Sequence, residues 1–423
     1  MILCGLVCLL TACHDDDEPE AWEKGRAART VMVYMAGENN LTVNSGTRYL
    51  RNDLNEIIEG SKQLADNQRL LVFVDSMVTN KSDTLKDGRG LPCIIEVHGG
   101  QVYKRHEFGQ EVCSSDPAVF REVLQWMAAE AEADEYGLVL WGHATGWMVH
   151  TDTIASARTV TKGYGQDDGS DAGGTQRRWM NITQMAKAMA GLPKLKFIFA
   201  DCCNMMCAEV GYELRNATDY LIGSPAEIPG NGAPYDKLIA SLYKSGSDLY
   251  RGVIDAYYNY YLDEYRNDSD LKGCSLPLAV IDTKQIENLA YRTRDVLATF
   301  TPEYPKSASL GNIAFYFYYY DTPLMYDMRA YIKHNATEAD FALWDQAFSQ
   351  AVPYYRMSMK WLTIYKALLA SFRQFDQDEG QYGCVSMFVP KTNYYYTTGG
   401  FQYNKTVMNF SWAHVVGWPQ YGW

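Results

Sequence analysis

Short apolar runs, separated by stretches with helical spacing, constrain this chain more than any other feature. Thr30-Val31-Met32-Val33-Tyr34-Met35 ends in Ala36-Gly37-Glu38-Asn39-Asn40, the pattern of a buried strand meeting a loop. Leu50, Leu54, Ile57 and Ile58 then mark one helix face, and a second run follows, Leu70-Leu71-Val72-Phe73-Val74-Asp75. Strand, helix, strand with uninterrupted apolar strands predicts a parallel sheet buried on both faces. The alternation continues. Asp116-Pro117 opens a helix whose apolar face is Phe120, Val123, Leu124 and Met127, Pro being tolerated at a first helical position. A third strand, Leu138-Val139-Leu140-Trp141, runs into Gly142-His143. A helix over 182–190 leads to Lys196-Phe197-Ile198-Phe199-Ala200-Asp201, and a fifth strand spans Asp219 to Ser224. The expected fold is a three-layer α/β sandwich with a mostly parallel central sheet.

The second half is harder to read. Leu278-Ala279-Val280-Ile281-Asp282 and Val385-Ser386-Met387-Phe388-Val389-Pro390 predict strands, and 248–266, 284–299 and 338–372 predict helices. Tyrosines crowd at Tyr316 and Tyr318 to Tyr320, a pattern of core or interface packing. The segment 151–178 is rich in Gly, Asp, Ser and Thr without a period, and is long for an idle loop. With 423 residues, 47% of them hydrophobic, the chain can bury a large core. A net charge of -13 and no basic stripe exclude nucleic acid as a partner, because phosphate binding draws on clustered Lys and Arg.

The first residues bear on compartment. The apolar run Ile2 to Leu10 is too short to cross a bilayer, which takes about 20 residues, but suits a signal-peptide core. It ends in Leu10-Thr11-Ala12-Cys13, which resembles a bacterial lipobox, and flips to His14-Asp15-Asp16-Asp17-Glu18. The expectation is a signal peptide over 1–13, lipidation at Cys13, an acidic tether over 14–28, a catalytic domain over 29–390 and an aromatic-rich C-terminal segment over 391–423. The protein is then exported and lipid-anchored to a bacterial outer membrane, facing outward. Cys93, Cys113, Cys202, Cys203, Cys207, Cys274 and Cys384 remain for other uses. Seven is odd, and three fall within 202–207, so this is not a disulfide framework.

His143 and Cys203 each fall just past the C-terminal end of a predicted parallel strand, where open α/β sheets place their ligand sites. Together they make a nucleophile and its base: thiolate is the reactive form, and imidazole takes and returns the proton. The His lies about 60 residues upstream of the Cys, an order opposite to papain-like enzymes and close to that of caspases. The small residues around His143 suit an oxyanion hole made by the amides of Ala144 and Cys203. Asp201, two residues before Cys203, projects to the same side of an extended strand end. A carboxylate there would hinder thiol ionisation, so it is expected to face a specificity pocket and attract a basic P1 side chain.

These residues carry a resemblance. Leu138-Val139-Leu140-Trp141-Gly142-His143-Ala144-Thr145-Gly146-Trp147 resembles the LILW-x-HG-x-GW segment of the clostripain-like cysteine peptidases, and Phe199 to Val210 is similar to their FDACLM-x-x-x-EV segment. Counting back from Glu209 puts Cys203 on the family's nucleophile and Asp201 on its Asp. Val31 to Leu41, Ser224 to Gly230 and Gly383 to Pro390 resemble further family segments, so the likeness covers about 30–390. It implies a caspase-like fold, a Cys and His dyad, cleavage after Arg or Lys, and protein or peptide substrates. Ser224 is carried over as a substrate-binding residue. The family's maturation cut between His and Cys implies self-processing, with Arg158, Lys162, Arg177 and Arg178 as candidate sites. No cofactor is required by such chemistry. Because some members use calcium, Asp167, Asp168 and Asp171 are a candidate set, set against the commoner solvated acidic loop. Where the family has Gly after the His, this chain has Ala144, tolerable only if the backbone there does not need Gly.

Other readings compete. Cys203 and Cys207 at i, i+4 with His143 suggest zinc, but no fourth ligand is evident. Cys202 and Cys203 lack the spacing of a redox motif. The rival of a different class is a catalytically idle surface lipoprotein that binds peptide or glycan.

Overall fold

The computed structural model describes residues 25–42, 46–77, 91–148, 163–169, 177–300, 310, 313–319, 322–363, 369–371, 381–391 and 403–423. Cys13, Arg158, Lys162 and Asp171 lie outside the described residues.

Strand β1 (Ala27–Gly37) is followed by α1 (Tyr49–Gly60), β2 (Gln68–Ser76), β3 (Cys93–His98) and β4 (Gln101–Glu107). Next come α2 (Pro117–Glu130), β5 (Ala133–Gly142), the hairpin β6 (Tyr164–Asp167) and β7 (Arg178–Met180), α3 (Ile182–Met189) and β8 (Leu195–Asp201). Then α4 (Ala208–Glu213), β9 (Thr218–Gly223), α5 (Tyr235–Leu238), α6 (Ser247–Glu264), β10 (Leu278–Asp282) and α7 (Ile286–Leu297) complete the framework. The Asp116 carboxylate accepts the Ala118 amide (2.7 Å) and Pro117 occupies the first turn of α2, as the sequence predicts.

The main sheet has nine strands in the order β13-β10-β9-β8-β5-β1-β2-β3-β4, where β13 is Tyr354–Arg356. Its centre, β9-β8-β5-β1-β2, is parallel, and both edges are antiparallel. Alternation of side chains along each central strand feeds two separate cores. Val31, Val33 and Met35 of β1 face α1, α5 and α6, whereas Met32, Tyr34 and Ala36 face α2, α3, α4 and α7. Phe197 and Phe199 of β8 join the first layer, Ile198 and Ala200 the second. This is the expected three-layer sandwich.

Three expectations change. The hairpin β3–β4 at one edge is not announced, because the short apolar run of β3 is interrupted by Glu96 and β4 is largely polar; Glu96 is buried there between Arg69 and Arg105. The helix expected over 338–372 stops at Ala351 in α9, after β11 (Phe315–Tyr319), β12 (Thr322–Asp327) and α8 (Met328–Asn335). Pro353 forbids helix at the residue before it, and the chain continues as β13, β14 (Lys360–Leu362) and β15 (Leu369–Ser371). The segment 151–178 is not wholly aperiodic either, since it contributes β6 and the start of β7.

Residues 386–387 form β16, which pairs with β12, and its neighbour Phe388 donates its amide to Glu209 in α4 (2.8 Å). Residues 403–423, with α10 (Tyr403–Val407) and α11 (Ser411–Val415), fold onto the same core. Trp412 packs on Tyr212, ring centroids 5.8 Å apart, and the Ser411 amide donates to Glu213 (3.1 Å).

Candidate active site

The chain moves from β1 to β2 in one direction and builds β5, β8 and β9 in the other, so the topological switch lies between β1 and β5. Ligands of open α/β sheets bind outside the carboxyl ends of strands at such a point. Trp141 of β5 is aligned with Asp201 of β8. His143 and Cys203, each two residues further on, therefore leave neighbouring strands side by side, on strands about 4.8 Å apart. Both line one cavity of about 440 Å³, together with Asn40, Trp141 and Asp201. Glu227 to Gly230, Leu362 and Thr363 line it as well.

Burial separates Cys203 from its neighbours. Of the described cysteines only Cys203 is partly exposed, and the other six are buried. Burial pushes the Cys202 and Cys207 thiols well above their ordinary range, and it pushes Cys113 up to about 12. Those groups hold no thiolate at neutral pH. The Ile228 amide points at the Cys203 sulfur (3.5 Å). The loop after Cys203 is clamped: the amides of Asn204 and Met206 donate to the carbonyls of Ala226 (2.9 Å) and Ser224 (3.0 Å), and the Ser386 amide donates to Met206 (3.0 Å).

His143 Nε2 lies 2.7 Å from Asn40 Oδ1. With a carbonyl oxygen as its partner, Nε2 is the protonated nitrogen, and Nδ1 carries the lone pair that a base needs. Asn40 follows β1, and its loop is held by Asn39, which bonds the carbonyls of Ala36 (3.0 Å) and Gln166 (2.8 Å) and accepts the Leu41 amide (2.8 Å). The sequence reading missed Asn40, although it applied the strand-end rule to β5 and β8 and had already marked a loop at the same end of β1.

Ala144 forms an antiparallel bridge with Tyr164. The bonds of that bridge run from the Gly165 amide to the His143 carbonyl (2.8 Å) and from the Thr145 amide to the Gly163 carbonyl (2.9 Å), so they do not use the Ala144 amide. Asn204, Met325 and Cys384 are the non-glycine residues with positive φ among those described. Ala144 is not one of them, so its backbone does not require the family's glycine.

Asp201 borders the cavity but its carboxylate lies in the layer beneath, 2% exposed. Oδ2 accepts the Tyr235 hydroxyl (2.7 Å) and the Ala233 amide (3.1 Å), and Oδ1 accepts the Tyr257 hydroxyl (2.9 Å). Burial raises its pKa against these donors. A second acid, Asp53, takes the Trp141 indole N–H (2.5 Å). Burial first, then the charge of Asp201, raises Asp53 to about 9. A Cβ placed on Gly232 would sit 2.8 Å from Asp53 Oδ2 and 2.9 Å from Asp201 Oδ2, so the glycine, at φ +59°, keeps the floor over both acids open. Asp53 gave no signal in the sequence, since its partner is 88 residues away.

Ser224 does not join this cavity. It is buried, and its hydroxyl accepts the Ala226 amide (3.1 Å). The Ser224 hydroxyl is occupied in fastening the turn after β9. Arg177 pairs with Asp168 (2.8 Å), and Arg178 lies in β7 with Asp167 as its partner (3.3 Å). Cys207 is buried under α4, and no zinc set including it occurs among the described residues.

The sequence profile of the clostripain family, peptidase C11, matches residues 33–421. Clostripain of Hathewaya histolytica is 23% identical over 234 residues, an overlap of 51% of this chain and 42% of that protein. The chain thus spans under half the length of the curated relative it matches. A secreted C11 cysteine protease from Bacteroides thetaiotaomicron, solved in complex with an irreversible peptide inhibitor, superposes with a TM-score of 0.72 at 26% identity, covering 93% of this chain and 100% of that one. An inactive zymogen C11 protease from Parabacteroides distasonis shares the fold, with a TM-score of 0.71 at 23% identity, covering 93% and 99%.

Proposed function

This chain belongs to the clostripain family, and on that footing we propose that it is a cysteine endopeptidase with Cys203 as nucleophile and His143 as base. The reading rests above all on the register of β5 and β8, which aligns Trp141 with Asp201 and brings the two residues to one cavity. Nδ1 of His143 takes the thiol proton as sulfur attacks the peptide carbonyl carbon, and the amides of Ala144 and Cys203 receive the developing oxyanion. Collapse expels the amine, which leaves with the proton returned by the imidazolium, and water hydrolyses the acyl-enzyme by the same base. No cofactor is called for in these steps.

Asp201 is the residue we assign to P1 selection, favouring Arg and Lys. Oδ2 takes two donors and Oδ1 takes one, which leaves room on Oδ1 for one more, and Asp53 beside it becomes a second anion if a cation draws its proton away. Substrates are proteins or peptides. Export with a lipid anchor at Cys13 is part of the same proposal, supported by the Leu10-Thr11-Ala12-Cys13 motif and by the secreted relative. Self-processing is assigned to the segment 151–178, at Arg158 or Lys162, because Arg178 is engaged in a strand and Arg177 in an ion pair.

Hydrolysis of fluorogenic peptides ending in Arg, Lys, Asp or Leu tests this, with Cys203→Ala in parallel under reducing conditions. Cleavage after Arg or Lys that vanishes in the variant is expected. Cleavage after another residue would remove Asp201 from its role. No cleavage at all, before or after limited trypsin treatment, would favour a surface protein that only binds peptide or glycan.

A further inference from the structure

Three contacts from the β6–β7 hairpin converge on His143 and its partner loop. Gly165 of β6 donates its amide to the His143 carbonyl (2.8 Å), and Asn39, next to Asn40, donates its side-chain amide to the Gln166 carbonyl (2.8 Å). The third comes from β7, where the Trp179 indole lies 6.3 Å from the His143 imidazole, centroid to centroid, with the planes tilted by 42°. Alternation along the strand sets its direction. Arg178 and Met180 turn one way. Arg178 reaches Asp167 (3.3 Å), which was expected in a solvated acidic loop and is buried instead, and Met180 enters the core around α2, α3, α4 and α7. Trp179 turns the other way. It is 7% exposed, yet it packs into neither of the two cores. An indole carries a large apolar surface whose usual use is core packing, so its place beside the imidazole needs a reason. The hairpin holds it firmly there, since a Cβ on Gly163 would lie 2.0 Å from the Met180 carbonyl oxygen.

We propose that Trp179 is a positioning residue for the base: its indole fixes the plane of the His143 ring, while Asn40 fixes one ring atom. A single hydrogen bond at Nε2 leaves the imidazole free to turn about that bond, and turning swings the Nδ1 lone pair away from Cys203. A flat neighbour removes that freedom. Trp179 is not among the residues that line the cavity, so it acts through His143 and not on substrate. A second effect appears once the imidazole has taken the thiol proton, because an aromatic face attracts a cation. At 6.3 Å the ring stands at the outer reach of such contacts, which adds roughly two- to fivefold in rate. Misplacement by about 1 Å costs up to roughly 100-fold, so orientation is the larger effect. The proposal rests on the peptidase reading and adds a residue to it.

One arm of the test is steady-state kinetics of Trp179→Leu and Trp179→Phe on the peptide the wild type cleaves best. We expect Trp179→Leu to lower kcat about 10-fold with KM within about twofold, and Trp179→Phe, which keeps a flat ring, to recover most of the loss. Trp126→Leu removes a half-buried indole that packs on His106 instead (5.1 Å) and should keep the parent's kcat. The other arm needs no activity. In the full chain carrying Cys203→Ala, with histidine labelled for nuclear magnetic resonance, the His143 imidazole signals are assigned by their loss in His143→Gln. Adding Trp179→Leu should move them and leave the other histidines in place, because an indole shifts only nuclei close to its ring; Trp179→Phe serves if the Leu variant does not fold. Unmoved His143 signals, a wild-type kcat in Trp179→Leu, no recovery in Trp179→Phe, or an equal loss in Trp126→Leu would each overturn the proposal. A wild type that cleaves nothing would strike the peptidase reading, and the resonance arm then decides the contact by itself.

Discussion

Asp53 is an acid that keeps its proton at neutral pH, because it is enclosed beneath the cavity floor beside Asp201. Its folded pKa of about 9 lies far above the roughly 3.9 of an unfolded aspartate. Stability from this group is fully present below pH ~4 and falls as pH rises through about 9, since the unfolded chain sheds the proton first. Asp53→Asn keeps an acceptor for the Trp141 indole and removes the titration. We expect the variant's advantage in Tm over the wild type to widen from pH 5 to pH 9, measured by calorimetry at fixed ionic strength; an advantage that stays constant would mean Asp53 is not the titrating group. At this scale the sequence disclosed residues through their place at a strand end, which is a local property. Cys203 and His143 were placed at neighbouring strand ends that way, and both line the cavity. Asp53, Asn40 and the seat of Trp179 depend on contacts between distant segments, and no spacing encodes them.

Helices and strands were legible wherever one period held over the whole element. The central strands are apolar throughout because both faces are covered, and α2 is marked at its start by Asp116-Pro117. The edges were not legible: β3 and β4 have mixed faces, and β13 lies directly after Pro353, where pattern alone does not separate a short strand from a helix end. The loops at the strand ends carry stricter demands than the strands do. Gly146 has φ +60°, and a Cβ there would press on the Asn204 carbonyl oxygen, in the loop just after Cys203. Asn204 itself holds φ 59°. Gly146→Ala is therefore expected to destabilise the fold by about 1–3 kcal/mol and to lower kcat more than it raises KM, as the Cys203 loop shifts. Urea unfolding together with steady-state kinetics checks both parts, and a variant with wild-type kcat would show that this turn does not set the nucleophile.

The two cores are each built from both sides of the segment 151–178. One contains Met32 and Leu138 alongside Ile198, Trp412 and Trp418, the other Val31 and Val139 alongside Phe197 and Val253. A cut after Arg158 or Lys162 would leave these contacts intact. We expect a matured sample to give two bands on a denaturing gel and one species near the chain's 47.9 kDa under native conditions; separation of the pieces on a sizing column in buffer would contradict the two-core packing. The fold class was readable at this scale from the alternation alone, whereas the docking of 403–423 was not, because aromatic side chains mark burial without saying against what.

The aligned pair Trp141 and Asp201 then has a further meaning. If the chain is cut between them as proposed, His143 and Cys203 belong to different molecules, joined by a seam of parallel strands with no covalent link. Unfolding becomes a dissociation, so the melting temperature should depend on protein concentration as it does for a heterodimer. Dilution, which leaves an uncut chain unaffected, would then switch a processed one off.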